Sequence, residues 1–228
     1  MNKKEVEALE FQKKWLEFEM DLVFKKLKEY WIKYRFLNEV KNFVDFEDKK
    51  IVDVGCGGPS SVLHLLKGER YGVDPIIDEL QEIYELNRNI QWIKAYGENL
   101  PFIDKNFDIV ICSNALDHME NHIEAFKEID RILKPNGIFI LTVDIFKEKF
   151  KRDKKHPHTF VEKDVLKLFK DFKILFKKKS SVNASFFKFL NGENVESIDA
   201  DDEYFFNESG IKTSDVMIGE IVIVAEKN

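Results

Sequence analysis

Ile51-Val52-Asp53-Val54-Gly55-Cys56-Gly57-Gly58-Pro59-Ser60 is a buried-strand run that ends in a glycine-rich turn and leads into an apolar helical stretch from Ser61 to Lys67. Glycines at a strand end let the backbone turn sharply and approach a ligand where any Cβ would collide. A bound cofactor is the first expectation. The dinucleotide pattern G-x-G-x-x-G asks for a third glycine after Gly55 and Gly57, and Ser60 stands in its place, which weakens a nicotinamide reading. Asp53, Gly55 and Gly57 satisfy instead a different pattern, an acid followed by G-x-G.

Working outward, Arg70-Tyr71-Gly72-Val73-Asp74-Pro75 reads as a second strand ending in a carboxylate, so that the two strands and the helical stretch between them make a βαβ unit. Asp74 stands where an acid accepts hydrogen bonds from a ribose, and the alternative for it is a strand-end turn before Pro75. Gln91 to Tyr96 reads as a third strand, followed by Gly97-Glu98-Asn99-Leu100-Pro101-Phe102, and Phe107 to Cys112 as a fourth, leading into Ser113 and Asn114. Apolar Ile123, Phe126, Ile129, Ile132 and Leu133 fall at helical spacing between Glu120 and Leu133, and Lys134-Pro135-Asn136-Gly137 turns the chain into the strand Ile138 to Val143. A helix is expected over Glu162 to Phe172 and a closing strand over Gly219 to Lys227. Strands alternating with helices imply a mostly parallel sheet covered on both faces.

These segments resemble class I S-adenosylmethionine-dependent methyltransferases. The resemblance rests on the acid-G-x-G of residues 53–57, the Leu-Pro-Phe ending at Phe102 with the strand after it, and the Leu-Lys-Pro-x-Gly turn at residues 133–137. It covers residues 50 to 145 closely and the closing strand more loosely. It implies an α/β fold, a Rossmann-like doubly wound sheet of seven mostly parallel strands. It also implies an N-terminal helical lid over residues 1–44, a methyltransferase domain over 45–228, and a cap inserted at about 180–215. The implied cofactor is S-adenosylmethionine, held by Asp53, Gly55, Cys56, Gly57, Asp74, Pro75, Tyr96, Gly97, Glu98, Ser113 and Asn114. Two positions depart from the family: Pro59 replaces a glycine common in the loop, and Tyr96 replaces the acid that commonly accepts from the adenine amino group. Glu98 or a backbone carbonyl is left for that role.

The 228 residues are 44% hydrophobic, enough for one large core, and no second domain is required. Residues 5 to about 44 read as a long helix: Leu9, Leu16, Val23 and Tyr30 recur every seven positions, as do Ala8, Trp15 and Leu22. That stripe fits packing on the domain or a homodimer face. The charged N-terminal stretch is no signal core, no uncharged run reaches membrane-spanning length, and two cysteines, Cys56 and Cys112, fit a reducing compartment, so a cytoplasmic protein is expected. A net charge of -6 argues against a nucleic-acid partner. The basic runs Lys147 to Lys155 and Lys177 to Lys179 read as solvated faces or contacts for an anionic substrate. The acids Glu196, Asp199, Asp201, Asp202 and Glu203 lack the glycine of a calcium loop, with Tyr204 in its place. Phe186, Phe187, Phe189, Tyr204, Phe205 and Phe206 are expected to build the cap.

Aligning an acceptor with an activated methyl group needs little machinery, but a hydroxyl acceptor profits from a general base, for which histidine is suited. His118 follows the fourth strand at the carboxyl edge of the sheet and is the first candidate. His156 and His158, in His156-Pro157-His158-Thr159-Phe160, are the second. His64 reads as structural. Asp117 beside His118 raises a metal alternative, but Asn114 and Ala115 stand where a companion acid would be, and His118 with His122 lacks carboxylate partners; no metal is expected. The expected function is methyl transfer to a small-molecule hydroxyl, a sugar or glycan precursor among the options. The alternatives are an RNA or protein methyltransferase, or a non-catalytic subunit that binds S-adenosylmethionine.

Overall fold

The computed structural model describes residues 1–13, 20–33, 35–151, 156–180, 189–190 and 217–228. Seven strands form its sheet: β1 (Lys50–Val54), β2 (Glu69–Val73), β3 (Gln91–Ile93), β4 (Phe107–Ser113), β5 (Leu133–Phe146), β6 (Phe172–Ser180) and β7 (Met217–Lys227). They are ordered β3-β2-β1-β4-β5-β7-β6, with β3 to β5 parallel and β7 antiparallel to both its neighbours. The order reverses at β1, so the chain leaves β1 and β4 on opposite sides and opens a crevice at their carboxyl ends.

Period-two alternation explains the two cores. Ile51, Ile109 and Ile111 face one side with α2 (Met20–Lys33), α3 (Leu37–Val40) and α4 (Ile77–Ile83), while Val52, Val54, Val110 and Cys112 face the other with α5 (His122–Ile132) and α6 (Glu162–Leu168). Val23 and Leu27 of α2 are fully buried in the first core. At about 2–5 kcal/mol for truncating a buried leucine, α2 is an integral part of this core.

Several boundaries differ from the sequence reading. The helical stretch after the glycine turn is one 3-10 turn, Val62–Leu65: Ser61 caps it by accepting from Leu63 N, and Leu66 is extended ahead of Gly68. Arg70 then takes the carbonyls of Leu63 and Leu66, satisfying the short helix end. Of the expected long N-terminal helix, the described residues form α1 (Lys3–Gln12), α2 and α3, with bends at Arg35 and Phe36, and residues 14–19 and 34 lie outside the described residues. The third strand stops at Ile93, and the helix from Glu162 stops at Leu168. β5 starts at Leu133, and the expected turn of residues 134–137 is an irregularity within it, with Asn136 at φ 60°. Lys177 to Lys179 lie on the edge strand β6, where Lys177 and Lys179 pair with Glu162 and Lys178 with Glu39. Charged side chains on an edge oppose strand addition. Trp15 and Leu16 of the stripe, residues 152–155 of the basic run, Phe186, Phe187, the acids at 196–203 and the aromatics Tyr204 to Phe206 lie outside the described residues.

Asp53 sits within β1, buried, with Oδ2 accepting from Ser61 Oγ at 2.9 Å and Oδ1 buried with no hydrogen-bond partner among the described residues. Burial pushes its carboxyl up to about 7 from 3.8, against the pull of the Ser61 bond and aided by the Asp74 charge. A carboxyl with a raised folded-state value stabilises most when protonated, so its contribution is full below about pH 4 and lost as pH rises through about 7. Asp53→Asn keeps an acceptor for Ser61 and cannot ionise. Urea melts of the variant are expected to lose less stability than the parent between about pH 5 and about pH 8; equal losses would mean that Asp53 is not the group responsible.

Candidate functional site

The turn after β1 is built from β2. The Val73 carbonyl accepts from both Gly55 N and Cys56 N, at 2.8 and 3.1 Å, and Gly55 and Gly57 take φ of 72° and 67°, the left-handed region open to glycine. Asp74 Oδ2 then accepts from Gly57 N at 3.0 Å and Oδ1 from Ile76 N at 3.2 Å, the second closing the turn at Pro75. Both readings of Asp74 therefore have physical content. The carboxylate anchors the turn, and an ionised carboxylate has about four acceptor sites, so two bonds leave capacity for a ribose. Burial raises the Asp74 carboxyl, and the two amide bonds oppose it.

The loop after β4 is pressed onto this turn. A Cβ at Gly55 would stand 2.4 Å from Ala115 Cβ, so only glycine lets residues 114–118 come this close. Asn114, at φ 51°, gives its amide to the Thr142 carbonyl and starts a turn closed by His118 N on Ala115 O. Met119 reaches back over the site, and a Cβ at Gly97 would meet its sulfur at 2.8 Å. Sequence reasoning missed Met119, whose type carries no chemical signal.

Gly55, Gly57, Asp74, Pro75 and Gly97 thus gather at the crevice. The other expected cofactor residues are differently engaged. The Cys56 thiol is buried near Gly72, and burial pushes it and Cys112 well up, so neither is a reactive thiol. Tyr96 is exposed, and its hydroxyl donates to Glu5 Oε1 and accepts from Asn2 Nδ2 at 2.9 Å, which ties it to α1. Glu98 Oε1 accepts from Asn121 N at 3.1 Å at the start of α5. Along α1, Gln12 Nε2 lies 3.4 Å from where a Cβ on Gly57 would be, and Lys4 pairs with Glu120. His64 Nε2 donates to Gly58 O at 3.3 Å, its ring is held down to about 4 by burial, and it lies between Phe24 and Trp92, as a structural residue would.

Ser113 belongs to a buried polar network that no motif announced. Arg35 Nη1 pairs with Glu220 Oε2 at 2.8 Å, and Nη2 donates to Ser113 Oγ at 3.0 Å and Thr142 Oγ1 at 3.2 Å. Tyr30 lies against Arg35, pushed up to about 12 by burial, and Asp144 is buried nearby. Burial raises the Glu220 carboxyl despite the adjacent guanidinium.

Four histidines meet beyond the β4 loop. The rings of His118 and His156 are 4.3 Å apart between centroids, and those of His122 and His158 are 4.2 Å apart. The pairs differ in character. His158 Nε2 is tied to Glu120 O at 3.1 Å, and burial, helped by His158, holds His122 down to about 4. His118 is 42% exposed, with Nε2 4.0 Å from Oδ1 of buried Asp117.

Asp74, with acceptor capacity beyond its two amide bonds, and Gly57, where a Cβ would meet nothing closer than Gln12 Nε2 at 3.4 Å, fit an adenosyl cofactor, whereas at Gly55 and Gly97 the room a Cβ would take is filled by Ala115 and Met119. Residues 52–141 match the methyltransferase domain family. The chain is 31% identical to a demethylmenaquinone methyltransferase of Staphylococcus saprophyticus over 45% of this chain and 50% of that one. It is 32% identical to a ubiquinone biosynthesis O-methyltransferase of Rickettsia bellii over 44% of each. The chain spans about half the length of these curated relatives. A structure of the complex between the Haloferax volcanii Trm112 methyltransferase activator and a putative methyltransferase superposes with a TM-score of 0.61 at 14% identity, over 99% of this chain and 98% of that one, a likeness of fold alone. Motif, matched family model and strand order agree over residues 52–141, which form a methyltransferase domain similar to those of S-adenosylmethionine-dependent enzymes.

Proposed function

We propose that this is a cytoplasmic enzyme that moves the methyl group of S-adenosylmethionine to a hydroxyl of a small-molecule acceptor. The observation that carries the reading is exposed His118, on the loop that packs against Gly55, with the half-buried ring of His156 beside it. The name of the Rickettsia relative, an O-methyltransferase, supports an oxygen acceptor. The cofactor supplies a methyl carbon already activated by its sulfonium, which departs as a neutral thioether. The protein's share is alignment and proton removal. His118 takes the hydroxyl proton, and the Asp117 carboxylate 4.0 Å away favours the imidazolium that results. Asp74, held in place by the Gly57 and Ile76 amides, orients the adenosyl part, and α1, crossing from Tyr96 to Gly57, acts as a lid.

Calorimetry with S-adenosylhomocysteine tests the first step. Asp74→Ala is expected to weaken binding at least about tenfold, or about 1.4 kcal/mol; heat with a nicotinamide dinucleotide and none with either adenosyl ligand would sink the reading. His118→Ala is expected to lower turnover on the order of 100-fold with cofactor affinity held within a few fold. Loss of both together would make His118 a structural residue. Removing residues 1–13 is expected to cut acceptor turnover more than cofactor binding while the cooperative melt persists, because the buried members of the first core begin at Val23 of α2 and α1 adds only half-buried Leu9. Equal loss of turnover and cofactor binding would show that α1 builds the cofactor site.

A further inference from the structure

We propose that Asp117, His118 and His156 form a site for a divalent transition-metal cation, with zinc the fitting ion. One ligand atom from each lies within 4.8 Å of the other two, and Asp117 Oδ1 to His118 Nε2 is 4.0 Å. Zinc bonds nitrogen and carboxylate oxygen at about 2.0–2.2 Å, so two ligands on one ion stand up to about 4.2 Å apart. The Asp117–His118 pair already falls inside that span. Any wider separation is one to His156, and it closes by small rotations of the two imidazoles, neither of which is fully buried, towards Asp117, which is fixed by burial.

The ligand chemistry selects the ion class. Two neutral imidazoles and one carboxylate suit borderline cations such as zinc or cobalt and offset half of a double positive charge. Calcium and magnesium, which take oxygen ligands, are disfavoured. Three protein ligands leave a tetrahedral ion with one position for water or an acceptor oxygen. The adjacent pair, His122 and His158, has a different chemistry: His158 is bonded to the Glu120 carbonyl, burial holds His122 neutral, and among the described residues no carboxylate completes a three-ligand group with them. It is an internal control in the same loop.

Cation binding stands without the methyl-transfer reading, but its consequence for turnover rests on that reading. The lone pair with which His118 takes a proton is the one that binds the ion. Proton and metal therefore alternate at one nitrogen, and the cation regulates the base.

The test uses the full, untagged chain, stripped by a chelator and titrated with Co²⁺ at neutral pH without cofactor or acceptor. One equivalent is expected to develop the visible absorption of a low-coordinate cobalt site, and Zn²⁺ to displace it. His156→Ala, in an irregular loop, and His118→Ala, at an exposed position, are each expected to weaken cobalt binding at least about tenfold, with His122→Ala within about twofold of the parent. Circular dichroism confirms that each variant is folded. No cobalt band, or a band equally strong in His118→Ala and His156→Ala, overturns the site. Because S-adenosylhomocysteine binding is read separately, failure here leaves the cofactor reading intact, and failure there leaves this one intact.

Discussion

The Val73 carbonyl, shared by the amides of Gly55 and Cys56, sets the direction in which the chain leaves β1, and the rest of the site depends on it. Because β1 and β2 are parallel and in register to Val54↔Val73, the two strands end level, and Asp74 arrives where it can take the next free amide, that of Gly57. A side chain at Gly55 would push away Ala115 and with it the loop that ends in Asp117 and His118. Cofactor turn and histidine pair are therefore one packed unit, positioned by backbone hydrogen bonds inside a rigid sheet.

A second constraint acts at the same carboxyl edge of the sheet. Arg35 joins Glu220 of β7, Ser113 of β4 and Thr142 of β5 beneath the carboxyl edge. A buried ion pair is weak evidence for stability, since desolvation offsets much of the attraction, but removing one partner strands the other at a cost of about 3–5 kcal/mol. The N-terminal segment is thus held in one register on the sheet by a contact that tolerates no sliding. That ties the position of α2, which leads directly to Arg35, to the strand ends that carry the site.

The sheet centre was legible because strands buried on both faces are written as near-continuous apolar runs, as in Ile51 to Val54 and Phe107 to Cys112, each broken by one aspartate, Asp53 and Asp108. Edge strand β6 was not, since Lys173, Lys177, Lys178 and Lys179 break its apolar pattern for the sake of a solvated edge. Helix α4 also escaped notice, its seven residues being too few to show a period. The glycine turn and Asp74 were legible from spacing. The Arg35–Glu220 pair was not, because 185 positions separate its members and neither stands in a motif. Tyr96 was recognised as a departure from the acid of the family, but its bond to Glu5 of α1 depends on tertiary contact between distant segments.

The two histidine pairs divide their labour by environment. His158, tied to the Glu120 carbonyl, packs on His122, whose imidazole burial keeps neutral, so this pair behaves as an apolar staple that fixes the loop to the start of α5. The other end of the loop is fixed by Phe160, whose carbonyl accepts from Phe146 N at 2.8 Å. Pro157 sits between the two loop histidines and biases His156 towards an extended backbone, so a chain pinned at His158 must present His156 alongside His118. One pair holds and the other is held out to solvent beside an acid. The difference in exposure among four identical side chains at the carboxyl edge is set by tertiary packing, and no sequence spacing encodes it.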